Sequence, residues 1–394
     1  RSNDIRQRGF QEVPIVDMVK TITKKVFQPK SIEELSRAIH EACIITNNGR
    51  KGPVLIDLPM NVQLQKIDDE TLNTLLNIAS LKTPKQKYGL NNEIVSKVNQ
   101  IINSAKKPLI LLGGGSQEKW EEVRKLLQII KIPVVSSLRG IGIINDKNYN
   151  GWIGHTGLPW ANKILYEADT VLVLGSRLDI RQTGSETFVL DKKNIIHVDI
   201  DENELENCRI KNTIKINSSV VNFLELINLK THTQDIDTWK KNIEEIKKSY
   251  TLQDDSGKDI GINPSEILKS VDKFTNDKMT YIATGVGSHQ HWTARYINFD
   301  NKSKMLFTSA GHGTMGYSLP TALGLKFCRK DSLIICIDGD GSFQINIQEL
   351  ALIDELKLNI KILIMDNSRL GIVSQFQNIT YGDDPTTGTF KNPN

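Results

Sequence analysis

The sequence predicts an α/β fold built from three consecutive units, each with its own parallel sheet. Two observations predict it. Short β-branched and aliphatic runs alternate with longer amphipathic segments, the pattern of βα units. Glycine-bearing turns follow several of these runs, and such turns let an anionic ligand approach the backbone at a sheet edge.

The elements follow in chain order. Ser31–Asn47 has helical spacing, with Ser31 placed to cap it and Glu33 and Glu34 in the first turn. Val54–Leu58 is strand-like and ends at Pro59, and residues 60–95, rich in Lys, Asn, Thr and Gln, are expected to be a linker. The second unit has a helix over 91–104, a strand Pro108–Leu112, the turn Gly113-Gly-Gly115, a helix Glu118–Ile130 and a strand Ile132–Ser136. Further strands are Thr170–Leu174 and Ile195–Ile200, then a charged helix Asp235–Tyr250 and a polar loop Asp254–Gly261. The third unit, from about Asn263, has strands Met279–Ala283, Leu333–Ile337 and Ile360–Met365, with a helix Ile345–Leu356 between the last two. The expected domains are 1–85, 86–235 and 255–394.

At 394 residues the chain has room for two or three cores. No apolar run approaches the roughly 18–20 residues of a membrane span. Net charge is +4, but Lys and Arg are scattered among Asp and Glu, so no nucleic-acid role is expected. Lys241–Lys248, with both signs, reads as a solvated helix face. Cys43, Cys208, Cys328 and Cys336 show no CxxC spacing, so buried structural thiols in a reducing cytosol are expected. The chain starts at Arg1 and ends in a polar, turn-rich stretch, and both ends look cut.

The decisive segment is Ile334-Ile-Cys-Ile-Asp-Gly-Asp-Gly-Ser342. An apolar strand delivers Gly339-Asp340-Gly341 to a sheet edge, and a helix after Ser342 would aim its N-terminus at an anion. Asp340 offers a carboxylate to a hard cation. The next strand ends at Asp366-Asn367, where an amide oxygen reaches the same ion; Mg²⁺ suits such a donor set. GDG alone is a common turn, but Asn367 lies 27 positions after Asp340 at the end of the next strand, which makes the pair specific.

With this spacing the sequence resembles the thiamine-diphosphate enzymes. The resemblance implies Asp340, the Asn367 side chain and the Arg369 carbonyl as Mg²⁺ ligands, and Gly341 and Ser342 at the diphosphate. Gly313-Thr-Met-Gly-Tyr-Ser-Leu-Pro320 resembles the family stretch that bends the cofactor. Met315 would wedge between its rings, with Gly313 and Thr314 beside it, and Ser288 and His289 are also implied near the cofactor.

Within that family the chain is most similar to acetolactate synthase large subunits. Phe10-Gln-Glu12, Ile22-Thr-Lys24 and Gly49–Pro59 resemble the end of a pyrimidine-binding domain, implying Gln11, Lys24 and Arg50 near substrate. The middle unit resembles a flavin-type domain that holds FAD, an ADP-like ligand or an empty domain being the alternatives. The implied contacts are Gly114, Arg139, Thr156, Gly157, Gly175, Arg177, Asp179, Asp199 and Ile200; Arg181 serves flavin or an acceptor's carboxylate. Val373 and Phe376 are implied in the acceptor pocket.

The chain departs from the family pattern at Ile180, at His155-Thr156 and at Phe376, where biosynthetic members usually carry Trp. Each departure bears on the second substrate. The resemblance also implies a catalytic glutamate earlier in the pyrimidine domain and a lid beyond Asn394, so the chain reads as a fragment. The implied reaction decarboxylates pyruvate and joins the two-carbon unit to a 2-oxo acid. A homodimer or homotetramer, with a small regulatory subunit as a possible partner, is the implied assembly. The rivals are a carboligase with another acceptor and a non-catalytic binding homologue. A nicotinamide dehydrogenase fares worse, since Gly113-Gly-Gly-Ser lacks GxGxxG spacing.

Overall fold

The computed structural model describes residues 9–79, 90–228, 233–251, 261–299 and 304–382. The chain divides into two compact units, 1–89 and 90–394. The fold is α/β with three parallel sheets, one in the first unit and two in the second.

In the first unit β1 (Lys25–Phe27) pairs in parallel with β2 (Val54–Ile56), and helix Ile32–Asn47 makes the crossover. That helix starts where its cap chemistry says it should. Ser31 is extended and its Oγ accepts the Glu34 N–H at 3.3 Å, with two carboxyls in the first turn.

The linker expected over 60–95 is corrected by two helices, Met60–Gln63 and Asp69–Ala79, and by helix Asn92–Ser104 at its far end; residues 80–89 lie outside the described ones. Asp68 caps the second helix by accepting the Thr71 N–H at 2.8 Å, and the Thr71 hydroxyl, then this N–H, hold its carboxyl below the usual range. Leu75 is buried, and its carbonyl accepts Ser36 Oγ from helix Ile32–Asn47. The polar composition of the stretch hid this docking residue.

The second unit carries a six-stranded sheet of β3 (Pro108–Leu112), β4 (Val134–Ser136), β5 (Tyr149–Trp152), β6 (Thr170–Leu174), β7 (Asn194–Asp199) and β8 (Thr213–Asn217). Its order is β5-β4-β3-β6-β7-β8, all parallel. A four-stranded sheet of β9 (Thr280–Thr284), β10 (Lys304–Thr308), β11 (Leu333–Gly339) and β12 (Ile360–Met365) has the order β10-β9-β11-β12, again all parallel.

Three of these strands carry little sequence signal. β5 contains Asn150 and Gly151, β8 alternates with Lys215 and Asn217, and β10 opens on Lys304. Lys304 is fully buried, and its ammonium is paired with the Asp272 carboxyl and accepted by the Asp272 carbonyl. A charged residue in a strand is tolerated here because it is paired.

Central strand β3 is almost wholly excluded from water, and each such leucine or isoleucine contributes about 1.5–3 kcal/mol of burial. Helix Thr233–Ser249 lays Ile236, Trp239, Ile243 and Ile246 inward and leaves its mixed charges in solvent. Trp239 Nε1 donates to the Pro108 carbonyl at 3.1 Å. One apolar cluster runs from Leu109 and Leu111 through Trp239 and Leu268 to Leu306 and Ile335, so the two sheets share a core.

Two helix expectations are corrected. The helix expected after Ser342 begins at Asp340 instead, because Gly339 serves as its extended N-cap. The helix expected over Ile345–Leu356 is broken into a 3₁₀ segment Gln344–Glu349, kinked by the non-helical angles of Asn346 within it, and a helix Leu350–Glu355. Of the cysteines only Cys336 is buried, and burial pushes its thiol up to about 12; Cys43 and Cys328 are exposed on helix surfaces. The expected loop at 254–261 falls almost entirely outside the described residues. Among the described residues no helix is long and apolar enough to cross a membrane.

Candidate functional site

All four strands β9–β12 run in one direction, so the loops after them collect at one edge. The chain goes from β9 outward to β10, then crosses back to β11 on the other side of β9. This reversal falls between the ends of β9 and β11, the place where open parallel sheets bind ligands. Gly285 and Ser288 lie past β9, Gly339 and Asp340 at the end of β11, and Asn367 two residues past β12.

Side chains crowd this edge. A Cβ on Gly285 would overlap both Asp338 Oδ1 and Ser342 Oγ, so only glycine lets β9 approach β11 here. A Cβ on Gly371 would lie 2.7 Å from Ser288 Oγ and 2.9 Å from Asn367 Nδ2, which brings Ser288 and Asn367 to the start of helix Gly371–Tyr381. The register pairs Gly339 with Met365, setting Asp340 and Asn367 just beyond adjacent strand ends. The Asn367 turn is tightly wound. Asp366 Oδ1 accepts the Ser368 N–H at 2.8 Å, Asn367 Oδ1 accepts the Arg369 N–H at 3.2 Å, and Ser368 takes φ +54°.

Asp338, just before the GDG turn, escaped the sequence reading. It is fully buried, accepts Ser318 Oγ and its neighbour Gly339 N–H, and has His289 Nε2 at 3.1 Å, close but off the hydrogen-bond line. Its carboxyl therefore joins β11 to helices Ser288–Tyr296 and Ser318–Cys328. His289 is itself buried between Gly287 and Gly339.

The donor set at this edge fits a hard cation and a diphosphate. The side chains at this edge offer oxygen donors, the Asp340 carboxylate, the Asn367 amide and the Ser342 hydroxyl, and no group of three His, Cys, Asp or Glu that could hold a metal exists among the described residues. The hydroxyl of Thr284, buried at the end of β9, has no hydrogen-bond partner among the described residues. Helices beginning at Ser288 and Gly371 have no side-chain cap and turn their N-termini to the same edge.

Past β10, the Gly313–Gly316 turn carries the exposed Gly313 and Thr314 and the half-buried Met315. Thr314 N–H is accepted by Ser309 Oγ and Gly316 N–H by Ser342 Oγ, at 3.1 and 2.9 Å. Ser342 thus already holds the turn while its proton stays available to a second acceptor. A depression of about 330 Å³ opens beside it, lined by Thr314, Gly316, Tyr317, Pro320, Thr321 and Asn346. Val373 and Phe376 are exposed on helix Gly371–Tyr381, and Arg369 is exposed before it.

The six-stranded sheet has its own reversal, between β3 and β6. Here the glycines bring chain to chain: Gly115 N–H donates to Gly175 O at 2.9 Å, and a Cβ on Gly113 would overlap that carbonyl. Arg139 crosses over Gly114 and contacts Gln117 Oε1 at 3.4 Å. Asp179 caps helix Ile180–Thr183 by accepting the N–H groups of Arg181 and Gln182, and its other oxygen pairs with Arg177 Nε at 2.9 Å. Asp199 Oδ1 accepts the Asp201 N–H at 2.9 Å, and the Ile200 carbonyl accepts Asn217 Nδ2. Gly157 closes a turn onto Gly154, with Thr156 half-buried beside it, and His155 N–H donates to Arg181 O at 2.7 Å.

His291, which sequence reading missed, links the two sheets. It lies on helix Ser288–Tyr296 and stacks on Trp152 at the end of β5, ring centres 6.5 Å apart. Burial, then the neighbouring charges of Arg181 and Arg295, lowers its pKa to about 4. No local pattern announces this contact, since it joins residues from separate sheets.

In the first unit Gln11 is exposed at φ +63°. Lys24 Nζ donates to the carbonyls of Ile45, Asn48 and Arg50 at 2.6, 2.7 and 3.0 Å, closing the C-terminus of helix Ile32–Asn47. The structure thus joins Lys24 to the Arg50 backbone through this cap.

Comparison with known proteins agrees with this geometry. Residues 95–227 match the family model described as thiamine pyrophosphate enzyme, central domain, and residues 285–394 match thiamine pyrophosphate enzyme, C-terminal TPP binding domain. The acetolactate synthase large subunit of Porphyra purpurea is 34% identical over 387 residues, covering 95% of this chain and 64% of its own length. That of Cyanidium caldarium is 34% identical over 383 residues, covering 95% and 65%. Acetolactate synthase 2, chloroplastic, of Nicotiana tabacum is 33% identical over 383 residues, covering 95% and 56%. The chain thus spans somewhat under two thirds of the length of these relatives. Two parallel sheets reversing at glycine turns, matched in order by the central and coenzyme-binding models, establish that the chain belongs to the thiamine pyrophosphate enzymes and resembles the acetolactate synthase large subunits.

Proposed function

We propose that this protein is a thiamine-diphosphate-dependent carboligase of the acetolactate synthase type. It would decarboxylate pyruvate and join the two-carbon unit to a second 2-oxo acid. The observation that carries the reading is the pairing of β11 with β12, which sets Asp340 and Asn367 beyond adjacent strand ends at the sheet's reversal.

Asp340, the Asn367 amide oxygen and the Arg369 carbonyl would hold Mg²⁺. Gly341, Ser342 and the N–H groups at the starts of helices Ser288–Tyr296 and Gly371–Tyr381 would face the diphosphate. The Gly313–Gly316 turn would hold the aminopyrimidine half, with Met315 between the rings. Thiamine diphosphate, when bound, supplies a nucleophilic carbon and an electron sink. The protein's own residues bind it, bend it and keep water from the reacting carbon.

Gly114, Arg139, Arg177, Asp179 and Asp199 at the reversal of the six-stranded sheet would take FAD, and Arg181 would face flavin or the acceptor's carboxylate. Gln11 and Arg50 are proposed near substrate, and Val373 and Phe376 at the acceptor. We place the protein in the cytoplasm as at least a homodimer.

Calorimetry on the intact protein tests the reading. Wild type should bind thiamine diphosphate only with Mg²⁺, and Asp340→Ala should weaken binding by about 100-fold or more. Unchanged affinity in that variant would refute the site. Pyruvate consumption against a panel of acceptors then identifies the product, and failure to form acetolactate from pyruvate alone would refute that choice of acceptor.

A further inference from the structure

Asn346 belongs to no motif, yet it occupies an unusual position. It kinks the helical path after the GDG turn, at φ −127° and ψ 32°, inside the 3₁₀ span Gln344–Glu349 that precedes helix Leu350–Glu355. Its Nδ2 donates to the Gly316 carbonyl at 2.7 Å, while its Oδ1 accepts Gln348 Nε2 at 3.1 Å. The N–H of the same Gly316 goes to Ser342 Oγ at 2.9 Å. Both polar groups of one glycine are therefore gripped by side chains from one loop, 26 and 30 positions later in the chain.

Gly316 has φ +75°, and a Cβ there would lie 2.8 Å from Asn346 Nδ2 and 2.9 Å from Ile345 Cβ. The backbone is thus pressed against the loop, with no slack. Two residues on, Ser318 Oγ is bound to Asp338. The turn that carries Met315 is thus held at three points by β11 or the loop that leaves it, beside the Thr314 N–H bond to Ser309 Oγ past β10.

We infer that Asn346 is a positioning residue that, with Ser342, locks the Met315 turn to the loop of the GDG motif. The inference rests on the thiamine-diphosphate reading above and adds a division of labour to it. Asp340 and Asn367 hold the diphosphate end, whereas Asn346 sets the geometry of the aminopyrimidine end. An asparagine suits the place because the Gly316 carbonyl needs a donor and the Gln348 amide an acceptor. Aspartate at 346 would set a carboxyl oxygen against the Gly316 carbonyl.

The test compares two ligands on the intact protein by calorimetry, both with Mg²⁺: thiamine diphosphate, and inorganic pyrophosphate as a probe of the diphosphate end alone. Asn346→Ala and the near-isosteric Asn346→Asp should each weaken thiamine diphosphate by about tenfold or more, the value of a hydrogen bond and its order. Pyrophosphate affinity should stay within about twofold of wild type. Hydrogen exchange of the peptide containing Gly316 should accelerate in both variants. Wild-type affinity for thiamine diphosphate in both variants would overturn the inference. A parallel loss of both ligands would also overturn it, since Asn346 would then support the whole loop. If wild type binds neither ligand, or Asp340→Ala binds both normally, the underlying reading of the site fails instead.

Discussion

His289 Nε2 stands 3.1 Å from Asp338 Oδ1, and Asp338 is shielded completely from solvent. The same carboxyl accepts Ser318 Oγ and the Gly339 N–H, so one side chain fastens β11 to helix Ser318–Cys328 under the GDG turn, with His289 of helix Ser288–Tyr296 against it. Replacing it strands several polar groups at once. Asp338→Ala should cost about 2–4 kcal/mol of stability, read as a lowered urea midpoint, and Asp338→Asn less because the amide still accepts. Equal stability of Asp338→Ala and wild type would mean the hub is not formed.

His291 makes stability depend on pH with a definite sign. Its folded pKa is lowered to about 4 from 6.5, so between these values the unfolded chain binds the extra proton. Its neutral form stabilises the fold fully above about pH 6.5, and that contribution fades as pH falls toward 4. The full loss, reached below about pH 4, is on the order of 3 kcal/mol. His291→Phe keeps a ring against Trp152 and should flatten the decline between pH 7 and 4.5 in thermal unfolding. An equally steep decline in the variant would assign the pH dependence elsewhere.

Gly113 sits where the loop after β3 meets the loop after β6, and a Cβ there would overlap the Gly175 carbonyl. Backbone cannot move aside as a flexible side chain can. Gly113→Ala should therefore destabilise the second unit by about 1–3 kcal/mol, with any flavin affinity falling alongside. A variant as stable as wild type would show that the two loops have room to part.

Lys24 gives its ammonium to three carbonyls at the end of helix Ile32–Asn47. Lys24→Met keeps the aliphatic stem that packs against Gly52 but removes those donors. We expect it to lose about 1–3 kcal/mol, measured by denaturation, with the loss independent of substrate. A stable variant with a raised KM for pyruvate would instead place Lys24 at the substrate.

The local record was read correctly where chemistry is local. Ser31 as a cap, the strand Leu333–Ile337 and its glycine turn, and Asn367 at the end of the following strand all depend on residues adjacent in sequence. Propensity, capping and strand length act over a few residues, so a single chain displays them openly. The alternation of such segments was enough to predict the α/β class.

Other features came from contacts between distant segments. Strands β5, β8 and β10 exist because neighbours pair with them, and Lys304 enters a strand because Asp272 meets it. The stretch 60–95 looked like a linker until Leu75 found helix Ile32–Asn47 to dock on. Asp338, Asn346 and His291 have no signature of their own, for their partners are 20, 30 and 139 positions away. Sequence order set which residues would stand at the ends of strands. Packing set which of them would touch, because burial and hydrogen-bond geometry are properties of the folded surroundings and not of the neighbouring residues.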